Sequence, residues 1–259
     1  MTAWEPRSGH IDVSVRDRVA VVTLDRPEKL NALTGDMRRE LAALLRHFGD
    51  GRQVCGVVLT GTGRAFSAGE DLREAAATGP NGMVLEAELF HDITRAALRT
   101  RVPTVAALNG VAVGGAGEMT LCFDARLGTP EAAYHFPEND IGLTVTNAAS
   151  VLLPRLVGAA EALRLVLDSA RVDAQQAREI GLLDDVVAPD DLLPAAIRLV
   201  RRWGRPGAAT AAHLALLRPS PDLVEAALGR ETRAVRHTED TGSARAGIER
   251  FIAARDARR

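Results

Sequence analysis

The chain has 259 residues, 46% hydrophobic and 25% charged, a length and balance that allow one large buried core and exclude disorder or a small disulfide-stapled scaffold. Its 32 basic and 34 acidic residues leave a formal net charge of −2, which argues against counterion-driven binding to nucleic acid or an anionic membrane surface as the main activity. Lys29 is the only lysine, and high-GC coding accounts for the arginine excess without a functional explanation.

The first predicted element is a buried strand over Val19 to Leu24, a β-branched run closed by Asp25-Arg26-Pro27. Thr34 then caps a helix whose Met37, Leu41, Leu44, Leu45 and Phe48 fall at helical spacing, ending near Gly49. A second strand is expected from Val54 to Thr60, broken by Gly61-Thr62-Gly63, followed by a helix over Leu85 to Leu98 and a strand over Thr104 to Leu108. Strand, glycine-bearing loop and helix alternate, as in α/β folds with parallel pairing. From Asn147 the reading is mostly helical, with helices over Ala148 to Leu156, Ala160 to Leu167 and Ala174 to Ile180, and a helical region after Pro189.

Cys55 and Cys122 lie far apart without Cys-x-x-Cys spacing, so neither a disulfide framework nor a metal site is suggested, and a reducing compartment fits. The first dozen residues lack the charged-then-apolar pattern of a secretory leader. No stretch reaches the ~18 consecutive apolar residues of a membrane span. The expectation is a cytoplasmic protein.

Three segments place glycines or carboxylates where a strand hands over to a loop or helix: Arg64 to Leu72, Asn109 to Glu118, and Tyr134 to Glu138. Glycines after a strand let the backbone approach a ligand and aim consecutive N–H groups at one point, which suits an oxyanion or phosphate. The second segment lacks the Gly-Lys-Ser/Thr of a nucleotide-binding loop, and its glycine spacing fits a dinucleotide fingerprint poorly. Each segment alone also reads blandly: Gly114 to Gly117 as close packing, Glu118 as a helix-start carboxylate, Glu138 as a solvated loop charge.

Together they resemble the crotonase, or enoyl-CoA hydratase/isomerase, superfamily. The entry segment Val22 to Leu33, the loop Ala65-Phe66-Ser67-Ala68-Gly69-Glu70-Asp71-Leu72, and Pro103 to Gly110 leading into Gly114, Gly115 and Glu118 are each similar to that family's motifs. Leu153 to Gly158, Ala177 to Leu183 and Gly247 to Arg255 continue the match, so the resemblance covers roughly Val13 to Arg255. It implies an α/β fold, a crotonase-like spiral of ββα units with a C-terminal helical region: residues 1–189 as the core with the active site, and residues 190–259 as a trimerisation region. It further implies that the backbone N–H groups of Glu70 and Gly115 form an oxyanion hole for a thioester carbonyl, and that Glu118 and Glu138 are the catalytic carboxylates.

The implied substrate is an acyl-CoA, with coenzyme A entering as part of it and no tightly bound cofactor. Arg26, Lys29, Leu30, Ser67, Ala68, Gly69, Asp71, Leu72, Gly114, Asp140 and Thr146 are the implied substrate and CoA contacts, and a homotrimer or hexamer is the implied assembly. The glutamate pair favours hydration of a 2-enoyl thioester, with Glu118 activating water and Glu138 exchanging the α proton. A Δ3,Δ2-enoyl-CoA isomerase, which needs one carboxylate, is the second reading, and a non-catalytic RNA-binding relative the third.

Four positions depart from the family pattern. Val145 to Ser150 replaces a glycine-rich segment that helps place the catalytic water, so Thr146 either caps the next helix, the more ordinary role, or touches substrate. The Glu70 side chain faces solvent, lines the acyl pocket or pairs with an arginine. His135 replaces a small residue and reads as packing. Asp140 is either a third polar group at the acyl end or a solvated loop charge.

Overall fold

The computed structural model describes residue 4, residues 7–79 and residues 81–257. The chain opens with an antiparallel pair, β1 (Ile11–Arg16) and β2 (Val19–Leu24), followed by α1 (Gly35–Gly49), β3 (Gly56–Gly61) and β4 (Ala65–Ser67). Helices α2 (Leu72–Ala76) and α3 (Gly82–Leu98) lead to β5 (Thr104–Leu108), β6 (Val111–Val113) and α4 (Gly115–Thr120). Strands β7 (Ala125–Gly128) and β8 (Ala133–His135) precede α5 (Ala149–Val157) and α6 (Ala159–Leu167). After β9 (Arg171–Asp173), α7 (Ala174–Glu179) and β10 (Asp185–Val186), the chain ends in α8 (Leu192–Trp203), α9 (Thr210–Leu217), α10 (Pro221–Asp240) and α11 (Ser243–Asp256).

The strands sort into two sheets, ordered β1-β2-β3-β5-β7-β10 and β4-β6-β8-β9. Successive pairs β3/β4, β5/β6 and β7/β8 each put one strand in each sheet before a helix returns the chain, which makes the repeating ββα spiral. From β2 to β10 the large sheet is parallel. Its central strands are apolar on both faces because both are covered: α1 and α3 contribute to one core, while Leu192, Ala196 and Val200 of α8 close the other against Val19, Val58, Val105 and Ala125. The segment from Leu192 onward therefore completes the core of the sheet.

The long elements match the sequence reading. Thr34 caps α1, its hydroxyl accepting the Met37 N–H at 3.2 Å, and β5 spans the expected Thr104 to Leu108. Strand β1 was not expected, although Ile11, Val13 and Val15 alternate with polar residues as an edge strand requires. The three-residue strands β4, β6, β8 and β9 are too short for any periodicity to register.

Arg218, between α9 and α10, ties the C-terminal helices to the core. Its guanidinium takes both oxygens of Asp124 at 2.8 and 2.6 Å and donates to the carbonyls of Ala97, Leu98 and Thr100 at the end of α3. A cation there also complements the helix dipole. Both side chains are nearly buried, and removing one partner of such a pair strands the other. Arg218→Ala is expected to cost about 3 to 5 kcal/mol of unfolding free energy, read from urea denaturation. A loss below about 1 kcal/mol, the range of a surface ion pair, would contradict this.

Candidate active site

The three glycine and carboxylate segments converge at the ends of β4, β6 and β8, neighbouring strands of the small sheet. Gly69 has φ +85°, and a methyl group there would stand 2.6 Å from the Val113 carbonyl oxygen and 3.8 Å from the Gly115 nitrogen. The two loops therefore approach closely enough that only glycine fits between them. Glu70 follows directly, and Gly115 opens α4. Among the described residues neither the Glu70 nor the Gly115 N–H donates to a protein acceptor, so two donors are available beside one another.

The sequence after Gly69 is held from both sides. Asp71 accepts from Arg26 at 2.7 Å and caps α2 through the Arg73 N–H. The Glu70 carboxylate pairs at 2.9 Å with Arg38, which is fully buried, also pairs with Glu86 and lies 4.7 Å from the Phe90 ring. This resolves the Glu70 side chain as an arginine partner. Burial raises the Glu70 carboxyl above its usual range, while Arg38 works in the opposite direction. Arg38 and Phe90 carry no sequence signal of this role beyond lying on predicted helices.

Glu118, on α4, and Glu138, after β8, are 1% and 5% exposed. One oxygen of each, Glu118 Oε1 and Glu138 Oε2, is buried without a hydrogen-bond partner. Glu138 Oε1 occupies the space above Gly114, where a methyl group would meet it at 2.8 Å; Gly114 also needs φ +53°. Glu118 Oε2, by contrast, accepts the Thr146 N–H at 2.9 Å, the Thr146 hydroxyl at 2.7 Å and the Asn147 amide at 3.5 Å.

Burial pushes the Glu138 carboxyl up to about 7. Burial also lifts Glu118 well above the ordinary carboxylate range, with the Glu138 charge adding to the rise and Thr146 opposing it. Two carboxylates so placed hold one proton between them near neutral pH.

The remaining expected residues have defined surroundings. Thr146 does not cap α5, whose N-cap is Ala148; its donors grip Glu118 instead. Asp140 is exposed, and its N–H is held by Ser169 Oγ and the Pro137 carbonyl, both at 3.1 Å. Ser67 is fully buried and its hydroxyl donates to the Asn31 carbonyl at 2.7 Å, which fixes the loop. Arg26 and Asp71 spend their charges on each other. Lys29 is exposed, and Leu30, Ala68 and Leu72 are half-buried along the same loops. His135 is half-buried, its imidazole pKa lowered by burial and then by Arg171. Asn147 is a residue that sequence reasoning missed; its φ of 60° lies in the left-handed region, which asparagine enters more readily than most residues.

The comparisons with known proteins agree with this geometry. The family described as Enoyl-CoA hydratase/isomerase matches residues 14–258, and the chain belongs to that family. It is 34% identical over 239 residues to YngF of Bacillus subtilis, named for the same hydratase/isomerase family, covering 91% of this chain and 92% of that one. It is also 34% identical over 252 residues to a protein of Rhodobacter capsulatus named "Probable enoyl-CoA hydratase", covering 93% and 94%. The enoyl-CoA hydratase/isomerase structure from Pseudoalteromonas atlantica superposes with a TM-score of 0.84 at 26% identity, over 95% of this chain and 97% of that one.

The buried pair has a stability cost with a defined sign. Folded Glu138 keeps its proton to about pH 7, whereas an unfolded glutamate releases it near pH 4.3. The folded state holds the extra proton inside that window, so stability falls as pH rises through it, by on the order of 3 kcal/mol above pH 7. Glu138→Gln is expected to gain stability relative to wild type more at pH 8 than at pH 5, compared by denaturant midpoints. An equal effect at both pH values would show that Glu138 ionises normally.

Proposed function

We propose that the protein is an enoyl-CoA hydratase that adds water across a 2-enoyl-CoA thioester. The observation that carries this reading is the pair of buried glutamates, each with an oxygen lacking a donor, beside two free backbone N–H groups. Hydration needs a base for water, an acid for the α carbon and a sink for the enolate, and these groups supply all three. The N–H groups of Glu70 and Gly115 receive the thioester oxygen as it gains charge; one such donor is worth on the order of 3 kcal/mol in the transition state.

The shared proton divides the roles. Three donors converge on Glu118 Oε2, and hydrogen bonds to the charged form favour it. We assign Glu118 as the carboxylate that takes the proton of the attacking water and Glu138 as the one that delivers a proton to the α carbon, the donors on Oε2 opposing the rise that burial and the Glu138 charge give Glu118. The water oxygen bonds to the β carbon, the carbon–carbon π pair moves through the enolate, and Glu138 protonates the α carbon. Transfer between the two carboxylates restores the starting state. Coenzyme A enters with the substrate, and we assign the exposed Lys29 to one of its phosphates.

Residues 190–259 serve assembly as well as the core. Helix α9 has no buried residue although its sequence is Thr-Ala-Ala-His-Leu-Ala-Leu-Leu, and Leu216 and Leu217 are 78% and 79% exposed. An apolar helix of this kind is covered by a second copy of the chain in the implied trimer or hexamer. Replacing both leucines by glutamate is expected to lower the mass measured by light scattering, and an unchanged mass would place the interface elsewhere.

Glu118→Gln and Glu138→Gln are each expected to cut hydration by at least ~100-fold, the scale of acid–base catalysis. The assay is loss of conjugated thioester absorbance on adding a 2-enoyl-CoA. Gain of that absorbance from a 3-enoyl-CoA, with no loss from the 2-enoyl-CoA, would replace the hydratase by the isomerase.

A further inference from the structure

The turn that grips Glu118 is itself held from a distant part of the chain. Asn147 and Ala148 have φ of 60° and 58°, and in the left-handed region the Cβ of a residue such as alanine crowds the following carbonyl oxygen. Something outside the turn must maintain it. Ala148 is the N-cap of α5 and has no side-chain acceptor for the helix's first N–H groups. Glu231 of α10, 3% exposed, takes that place: its carboxylate accepts the Ala148 and Ser150 N–H groups, each at 2.9 Å. On the other side the Asn147 carboxamide donates to the Gly115 carbonyl at 3.2 Å and accepts from the Thr94 hydroxyl at 3.2 Å.

We propose that Glu231 is a positioning residue for Glu118, acting through the Ala148 and Ser150 N–H groups to hold Thr146 where its two donors meet Glu118 Oε2. This rests on the reading of Glu118 as a catalytic carboxylate. With Oε2 saturated by donors, proton exchange is confined to Oε1, the oxygen left without a partner. Glu231 touches no reacting atom. Its own neighbours are His91, with Nε2 at 3.5 Å, and beyond the imidazole Glu88, which pairs with Arg95. The charges bearing on Glu118 are those of Glu138 and Glu231.

The alternative is that Glu231 merely anchors α10, and kinetics separate the two. Glu231→Gln offers one acceptor oxygen where the carboxylate offers two, so it releases one N–H without changing volume. Thr146→Val removes the hydroxyl from the far end of the same chain of contacts. Each is expected to lower kcat for 2-enoyl-CoA hydration at least ~10-fold, as misplacing a catalytic group does, with KM changed by less than about threefold. Thr146→Val should also move the acid limb of the kcat–pH profile upward, because Glu118 loses a donor to its charged form while the Glu231 charge stays in place. Thr146→Ser should stay within about threefold of wild type.

Because both residues act along one path, Glu231→Gln combined with Thr146→Val should be no slower than Thr146→Val alone. Effects that multiply, an unchanged kcat in Glu231→Gln, or a fall in kcat that disappears below the variant's melting transition would overturn the proposal. If Glu231→Gln does not fold, Glu231→Asp retracts the same carboxylate by one methylene and is read in its place. The Glu118→Gln control separates the layers: full activity there sinks the catalytic reading, whereas inactivity there with a normal Glu231→Gln sinks only the positioning role.

Discussion

Removing two carboxylates from water is the constraint around which the rest of this structure is arranged. An isolated buried carboxylate is costly unless it is protonated or well supplied with donors. Here both remedies operate at once: Glu118 receives Thr146 and Asn147 on one oxygen, and Glu138, raised to about 7, keeps its proton well above the usual carboxylate range. The oxygens without donors are the ones a hydration reaction would employ. Instability at this pair and readiness for proton transfer are the same physical fact.

The proposed oxyanion site obeys a different rule, because it is built from backbone and must be fixed without spending its N–H groups. Side chains do the fixing. Consecutive acidic residues, Glu70 and Asp71, are drawn to Arg38 and Arg26 from segments upstream, so the peptide between them is restrained from both directions. Arg38 is wholly buried with two carboxylates for one cation, an arrangement that gains little stability by itself. Its effect is to specify where a loop sits. A preorganised donor needs no rearrangement when charge develops, which is where such sites obtain their advantage.

How much of this was legible in the sequence follows from the range of the interactions. Long elements with periodic apolar residues, such as α1 and β5, were readable because their signal is local and repeated. The glutamate pair and the glycine loops were readable only as a set whose order resembles a family. Arg38, Asn147 and Glu231 were not readable, since each acquires its role from partners that the fold alone brings together; Glu231 meets Ala148 across 83 positions. Thr146 was noticed, and the capping role that a threonine before a helix ordinarily takes is the alternative that fails. The cap came instead from α10, which released the hydroxyl for Glu118.

Gly115 joins the two halves of the chemistry. Its N–H is one of the two free donors, while its carbonyl accepts from Asn147, whose amide also reaches Glu118 and the Thr146 hydroxyl. A shift of the Thr146-to-Ala148 turn therefore moves Glu118 and rotates the peptide that follows the Gly115 N–H together. Glycines in this turn would leave its conformation to a flexible backbone. This chain uses residues with side chains in left-handed conformations and supplies a buried glutamate to hold them. The substitution exchanges backbone freedom for a network of named contacts, and it ties the active site to the C-terminal helices that also cover the core.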